Sequence, residues 1–127
     1  AFSITLKSMP AICLANNLST ITAISNDYSY DDVFLHQLKF ILNEKDVLIT
    51  ISGSGNSTNV VKAAEYAKNK GNVVVSMVGF DGGRLKIISD FCFHAPVNNM
   101  QISEDLHLFC CHLLSTLIRE CKRKQYD

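Results

Sequence analysis

A three-layer α/β domain, with helices on both faces of a parallel sheet, is the fold class this sequence predicts. Three observations carry it. Four apolar runs, Ala11–Ala15, Val47–Ile51, Asn72–Val78 and Asp90–Ala95, alternate with stretches of helical period. The runs hold few polar residues, as strands covered on both faces do, rather than the in–out alternation of a sheet with one wet face. Small and polar stretches follow three of them, Asn16–Thr20, Ser52–Ser57 and Gly79–Gly83, at the carboxyl edge where open parallel sheets bind ligands.

Taken in order, Ala1–Pro10 shows no clear period. Ala11–Ala15, AICLA, ends at Asn16-Asn17 and reads as a buried strand and turn, after which Ser19 and Thr20 suit the cap of a short helical turn. Val33, Phe34, Leu38, Ile41 and Leu42 recur at helical spacing and predict a helix from about Tyr30 to Asn43. The strand Val47–Ile51 feeds a Gly/Ser loop and then a helix from Ser57 to about Asn69, with Gly71 placed as a C-terminal cap. Asn72–Val78 is the next strand, GFDGG a loop, Arg84–Ile88 a short helix and Asp90–Ala95 the last strand. Gln101 to about Lys122 is the longest helix, and CKRKQYD at Cys121–Asp127 reads as its solvated basic end.

The 127 residues make one domain with room for a core; 47% are hydrophobic and 19% charged, as in soluble globular proteins. Twelve Lys and Arg balance twelve Asp and Glu, so no electrostatic case exists for nucleic acid or an anionic membrane. No apolar run approaches the roughly 20 residues that span a bilayer, and no signal peptide is visible. Cys13, Cys92, Cys110, Cys111 and Cys121 are odd in number and lack metal-site spacing. They predict buried free thiols in a reducing cytoplasm, with a vicinal Cys110–Cys111 redox pair as a minor option.

The chemistry concentrates at Asp46–Val61, DVLITISGSGNSTNVV. A buried strand, a loop of Gly and Ser, and a helix start together form an anion cradle: helix N-terminal N–H groups point outward, the dipole favours negative charge, and Ser52, Ser54 and Ser57 add hydroxyls. The same residues also suit an ordinary turn in which serines cap and glycines bend. No Lys-Ser/Thr follows a glycine, so it is not a Walker loop; Gly53 and Gly55 lack the third glycine of the dinucleotide fingerprint. A neutral, hydroxyl-rich cradle fits a phosphomonoester better than a nucleoside triphosphate.

On the last helix, Gln101, Asp105, Leu108 and His112 share one face. Glu104 lies about 80° from His112 and about 12 Å along the axis, so joint ligation of one metal is demanding, and Asp105 is its geometric rival. His107 points about 140° away from His112 and reads as structural or at a subunit contact. His36 and His94 receive no role, and Asp81 reads as a turn residue.

DVLITISGSGNSTNVVKAAEYAKNKG, then VVSMVGFDGG, then EDLHLFCCHLL resembles the sugar-isomerase (SIS) domain, and within it the phosphoheptose isomerase branch. The likeness runs from about Ala11 to Arg119 and includes SNDYSYDDVF. It implies the SIS, flavodoxin-like topology. It also implies phosphate binding by Ser52, Gly53, Ser54, Asn56 and Ser57, with backbone amides helping, and sugar contacts from Asp27, Gln101 and Glu104. His112 matches the catalytic histidine, and Glu104 with His112 a metal pair, zinc being the candidate; no nucleotide cofactor is implied.

The implied activity is aldose–ketose isomerisation, sedoheptulose 7-phosphate to a heptose 7-phosphate, in cell-surface carbohydrate biosynthesis, by a cytoplasmic homo-oligomer (dimer or tetramer) through its helices. The alternative is a non-catalytic phosphosugar-binding or protein-interaction module. Three departures stand out. Gly53 replaces a threonine; Gln101 and Glu104 replace an aspartate and a glutamine; and the family's N-terminal helical hairpin, first strand and His/Glu pair, including its general base, find no match in this chain.

Overall fold

The structure, a computed structural model, describes residues 10–123. Its elements are α1 (Leu18–Asp27), a 3-10 turn (Tyr30–Asp32), α2 (Val33–Ile41), β1 (Val47–Ser52), α3 (Thr58–Asn69), β2 (Val73–Val78), α4 (Gly83–Ile88), β3 (Phe91–His94) and α5 (Met100–Arg123). The expectations for Ala1–Met9 and for Lys124–Asp127 lie outside the described residues.

Strands order as β1-β2-β3, all parallel, with Val47 opposite Val73 and Val75 opposite Phe91. Each parallel step needs a crossover, and α3 and α4 provide the two. Both lie on one face, over Val74 and Val78, and pack there through Ala64, Ala67 and Leu85. Alanine at Ala63, Ala64 and Ala67 lets α3 approach the sheet closely. Outside α3, α2 buries Val33 and Leu38, and Lys62 Nζ meets Asp32 Oδ1 at 2.9 Å to tie the 3-10 turn to α3.

Local chemistry sets the helix ends. The Asn17 side chain accepts the Thr20 N–H at 3.0 Å to open α1, and Asn99 Oδ1 accepts the Ile102 N–H at 3.0 Å to open α5. Gly71, at φ 83°, closes α3 with its N–H on the Lys68 carbonyl at 2.9 Å, as the sequence predicts.

A buried file of hydroxyls crosses the α3–α4 face. Ser89 Oγ donates to the Leu85 carbonyl at 2.6 Å, leaving Ser76 Oγ to donate to Ser89 (2.5 Å) and Thr50 Oγ1 to donate to Ser76 (2.5 Å). One proton per hydroxyl fixes that direction. Asp90 does similar work at the surface: Oδ2 accepts the Val74 N–H and Oδ1 meets Lys68 Nζ, and both hold its carboxyl below the usual range.

The opposite face carries α5, where Cys111 Sγ lies 3.8 Å from Met77 Sδ and His107 sits edge-on to Phe93 at 6.4 Å. The three-layer α/β fold is therefore present, but β1 departs from the expected double cover: Val47, Ile49 and Ile51 are exposed on that face.

Two expectations need correction. Ala11–Ala15 forms no strand; it runs as turn and irregular chain, largely exposed, with the Asn16 N–H on the Cys13 carbonyl and Gln37 Nε2 on the Leu14 carbonyl. An apolar run becomes a strand only with a ladder partner, and no described strand lies beyond β1. Nor are all the thiols buried: Cys110 is buried and Cys111 half-buried, but Cys13, Cys92 and Cys121 are exposed. Burial pushes the Cys110 and Cys111 thiols up, away from thiolate reactivity.

Candidate functional site

The loop after β1 is held from one side. Gly79 N–H donates to the Gly53 carbonyl at 2.7 Å, Leu85 N–H to the Gly55 carbonyl at 3.0 Å, and Arg84 N–H to Asn56 Oδ1 at 2.9 Å. Gly55 must be glycine: its φ is 68°, and a Cβ there would strike the Gly82 carbonyl. The braces come from GFDGG and the start of α4, so the loop's shape depends on a stretch some two dozen residues downstream.

Within the loop the side chains divide their work. Ser52 is buried, with its Oγ 3.1 Å from Ser57 Oγ, so it positions the more exposed Ser57 hydroxyl. Ser54 Oγ accepts the Asn56 N–H at 3.2 Å, which leaves its own proton to donate. Asn56 uses both ends of its amide internally, Nδ2 on the Ser54 carbonyl and Oδ1 on Arg84, and acts as a clamp. Gly53 faces the Met100 thioether, which stands where its Cβ would be.

The N–H groups of Ser54, Ser57, Thr58 and Asn59 meet no acceptor among the described residues. The last two are the first N–H groups of α3, so donors and helix dipole point the same way. Thr58 and Asn59 are additions to the residues read from sequence; their signal was their place in the first helical turn.

α5 starts against this loop, with Met100 on Gly53 and Ser103 on Gly79. Gln101 and Glu104 follow within the next turn and are exposed. Asp105 and Leu108 lie further along the same exposed side, and His112 is exposed as well. His112 is twelve residues past Met100, about 18 Å along the axis, so the chain does not bring His112 to its own cradle. Asp27 ends α1, exposed, and takes a hydrogen bond from Asn26 Nδ2 at 3.1 Å; no described bond joins it to the loop.

Glu104 and His112 alone do not make a metal centre. Eight residues of helix separate them by about 12 Å, against about 2 Å for each bond of a zinc shell of about four donors. No group of three His, Cys, Asp or Glu gathers among the described residues. His107 is buried, and neither of its ring nitrogens has a partner among the described residues.

Beside the loop lies an open cleft of about 580 Å³, lined by Ser54, Asn56, Phe80, Asp81, Pro96 and Asn98. Loops from the carboxyl ends of all three strands meet there. The SIS domain family profile matches residues 1–79, more than half of the chain, and takes in β1, the cradle and β2. The chain belongs to the SIS domain family.

Relatives refine the likeness. This SIS domain is 42% identical over 112 residues to the phosphoheptose isomerase of Helicobacter pylori (strain P12), covering 88% of this chain and 58% of that protein. It is 40% identical over 114 residues to the phosphoheptose isomerase of a Nitratiruptor species, covering 90% and 61%. Among solved structures, the phosphoheptose isomerase from Neisseria gonorrhoeae superposes with a TM-score of 0.88 at 30% identity, over 92% of this chain and 67% of that one. The one from Francisella tularensis gives 0.82 at 32% identity, over 86% and 59%. The SIS domain here thus spans about three fifths of the length of these relatives.

Proposed function

We infer that this chain binds a sugar phosphate in the Ser52–Ser57 loop and is the phosphate-holding part of a sugar-phosphate aldose–ketose isomerase of the phosphoheptose isomerase kind. One observation carries the inference: four N–H groups with no described acceptor and the Ser54 and Ser57 hydroxyls lie together in the loop and the first turn of α3. A phosphate dianion satisfies such a set, and the helix dipole adds to the attraction. The likeness to proteins named phosphoheptose isomerase supports a heptose phosphate, such as sedoheptulose 7-phosphate, as the substrate, and a cytoplasmic role in cell-surface carbohydrate biosynthesis.

Isomerisation moves a proton between adjacent carbons through an enediol, while a grip on the remote phosphate keeps the sugar in register. The loop is that grip. His112 is the acid/base candidate, since imidazole titrates closest to neutrality. Its distance from the loop of the same chain supports a role on a substrate held by a second copy. Leu108, Phe109, Leu113 and Leu117, exposed around it on α5, supply the apolar surface for such a homo-oligomer. Gln101 and Glu104, close to the loop, and Asp27 remain the sugar-contact candidates. Glu104 and His112, about 12 Å apart along α5, do not fit one zinc ion between them, and no step here depends on a metal.

A second reading, a phosphosugar-binding module without turnover, draws on the same separation of His112 from the cradle. Calorimetry with sedoheptulose 7-phosphate, an isomerisation assay and light scattering on the same preparation distinguish them. Binding and a homo-oligomer are expected of this chain; turnover is expected only where the family's general base is also present, and there His112→Gln is expected to lose turnover but not binding. Binding without turnover in a protein that carries that base selects the second reading, and absence of binding overturns both.

A further inference from the structure

His94 closes β3 and stands outside the set of groups that face the phosphate. It pairs in register with Val78, so the two side chains share the α3–α4 face of the sheet, while their neighbours Met77 and Phe93 turn to α5. From there His94 Nε2 lies 2.9 Å from the Phe80 carbonyl oxygen. A carbonyl carries no proton, so the imidazole holds its proton on Nε2 and donates. The half-buried ring thus grips the peptide that follows Phe80.

Phe80 needs that grip. Its φ is 47°, a left-handed conformation that a bulky residue adopts only where its surroundings impose it. The bonds that impose it are those of His94 Nε2 to its carbonyl, of its own N–H to the Val97 carbonyl at 3.3 Å, and of the Gly82 N–H to the Gly79 carbonyl at 2.8 Å. The bend lies between the two residues that hold the Ser52–Ser57 loop, Gly79 with its N–H on the Gly53 carbonyl and Leu85 with its N–H on the Gly55 carbonyl. The Gly53 carbonyl and the Ser54 N–H belong to one trans peptide and point opposite ways, so a hold on the first aims the second. Ser54 N–H is one of the four donors with no described acceptor.

We propose that His94 is a positioning residue for phosphate binding: its Nε2–H fixes the Phe80 bend, the bend sets Gly79 against Gly53, and Gly79 aims the Ser54 N–H at the anion. This role rests on the phosphosugar reading above. His94 touches no ligand and acts through the loop after β2. Two replacements separate donor from bulk. Phenylalanine keeps a ring and loses the donor, whereas glutamine keeps an N–H donor on its own Nε2, as many bonds from Cα as the imidazole Nε2.

Calorimetry with inorganic phosphate tests this on the chain itself. His94→Phe is expected to bind phosphate about tenfold more weakly than wild type, the scale of one lost hydrogen bond, and His94→Gln within about twofold of it. In His94→Phe the Phe80 and Gly79 N–H groups should exchange with solvent faster, while the Val74 N–H, held by Asp90 Oδ2 at the other end of the sheet, keeps its wild-type rate. Wild-type affinity in a folded His94→Phe variant overturns the proposal and leaves the phosphate loop standing. A His94→Gln variant as weak as His94→Phe overturns it too, since the donor would then not matter, and so does exchange that rises equally at Val74, which marks a general loss of stability. Nitrogen-15 spectra of the wild-type imidazole need no variant: a proton on Nε2 is expected, and a bare Nε2 overturns the donor. Wild-type protein that binds neither phosphate nor sedoheptulose 7-phosphate overturns the phosphosugar reading and this proposal together.

Discussion

The Met100 thioether fills the space that a Cβ on Gly53 would occupy, so the first residue of α5 completes one flank of the Ser52–Ser57 loop. The resemblance to phosphoheptose isomerases places a threonine at this position. The exchange trades a hydroxyl donor for an apolar contact delivered from a different element.

That trade is reversible in principle, because the obstacle is the end of a flexible side chain and not backbone. The double variant Gly53→Thr/Met100→Ala is expected to bind inorganic phosphate about tenfold more tightly than wild type, the worth of one added hydrogen bond to a charged group. Gly53→Thr alone gains less, since the thioether has to move. Titration calorimetry on the three proteins reads this directly, and a double variant no tighter than wild type means the phosphate does not reach position 53.

Ser52, Ser54 and Ser57 are not equivalent. Ser54→Ala and Ser57→Ala each remove a hydroxyl that a ligand can reach and should weaken phosphosugar binding by about 1–2 kcal/mol. Ser52→Ala removes only the partner of Ser57 and should have the smallest effect on binding of the three. A Ser52 variant as weak as the other two would show its hydroxyl on the ligand.

The hydroxyl file Thr50–Ser76–Ser89 predicts a stability effect away from the site. Ser76 is fully buried and bonded on both sides, so Ser76→Ala leaves Thr50 without its acceptor and Ser89 without its donor. The expected loss is about 1–3 kcal/mol in urea denaturation, with the slope unchanged. Ser89→Ala, at the half-buried end of the file, should cost less.

Asp90 sets an acid dependence. Its folded pKa lies below the ordinary 3.8 because Lys68 and the Val74 N–H bind its charged form. A depressed carboxylate contributes stability above its unfolded pKa and loses it as pH falls through the folded value. Asp90→Asn should therefore lower stability at neutral pH and make the melting temperature less dependent on pH below about 4. An unaltered acid limb in the variant would assign that limb to other carboxylates.

Much of this molecule is legible in the chain itself. Val47–Ile51, the Gly/Ser loop, the helix behind it and Gly71 follow from local rules: apolar runs, turn residues, a helix start and a left-handed cap within a few residues of one another. The Ser52–Ser57 loop was legible for the same reason, since its hydroxyls and the helical N–H groups behind it come from one continuous segment. The exchange at Gly53 was visible too, though not its cause.

What required the tertiary structure is what depends on distant partners. AICLA has a strand's composition, but a strand exists only in a ladder, and the described sheet offers none beyond β1. Asn56 reads from sequence as a phosphate ligand, and only the structure shows its amide engaged by the Arg84 N–H; Asp81 is the turn residue that the sequence predicts, its carboxylate on the Gly83 N–H. Helix geometry alone put His112 on a face with Gln101 and Asp105; only the contact of Met100 with Gly53 showed that this face begins at the cradle and that His112 ends far from it. Local sequence determines which groups a segment offers, because propensity and capping act over a few residues; packing decides which of them meet.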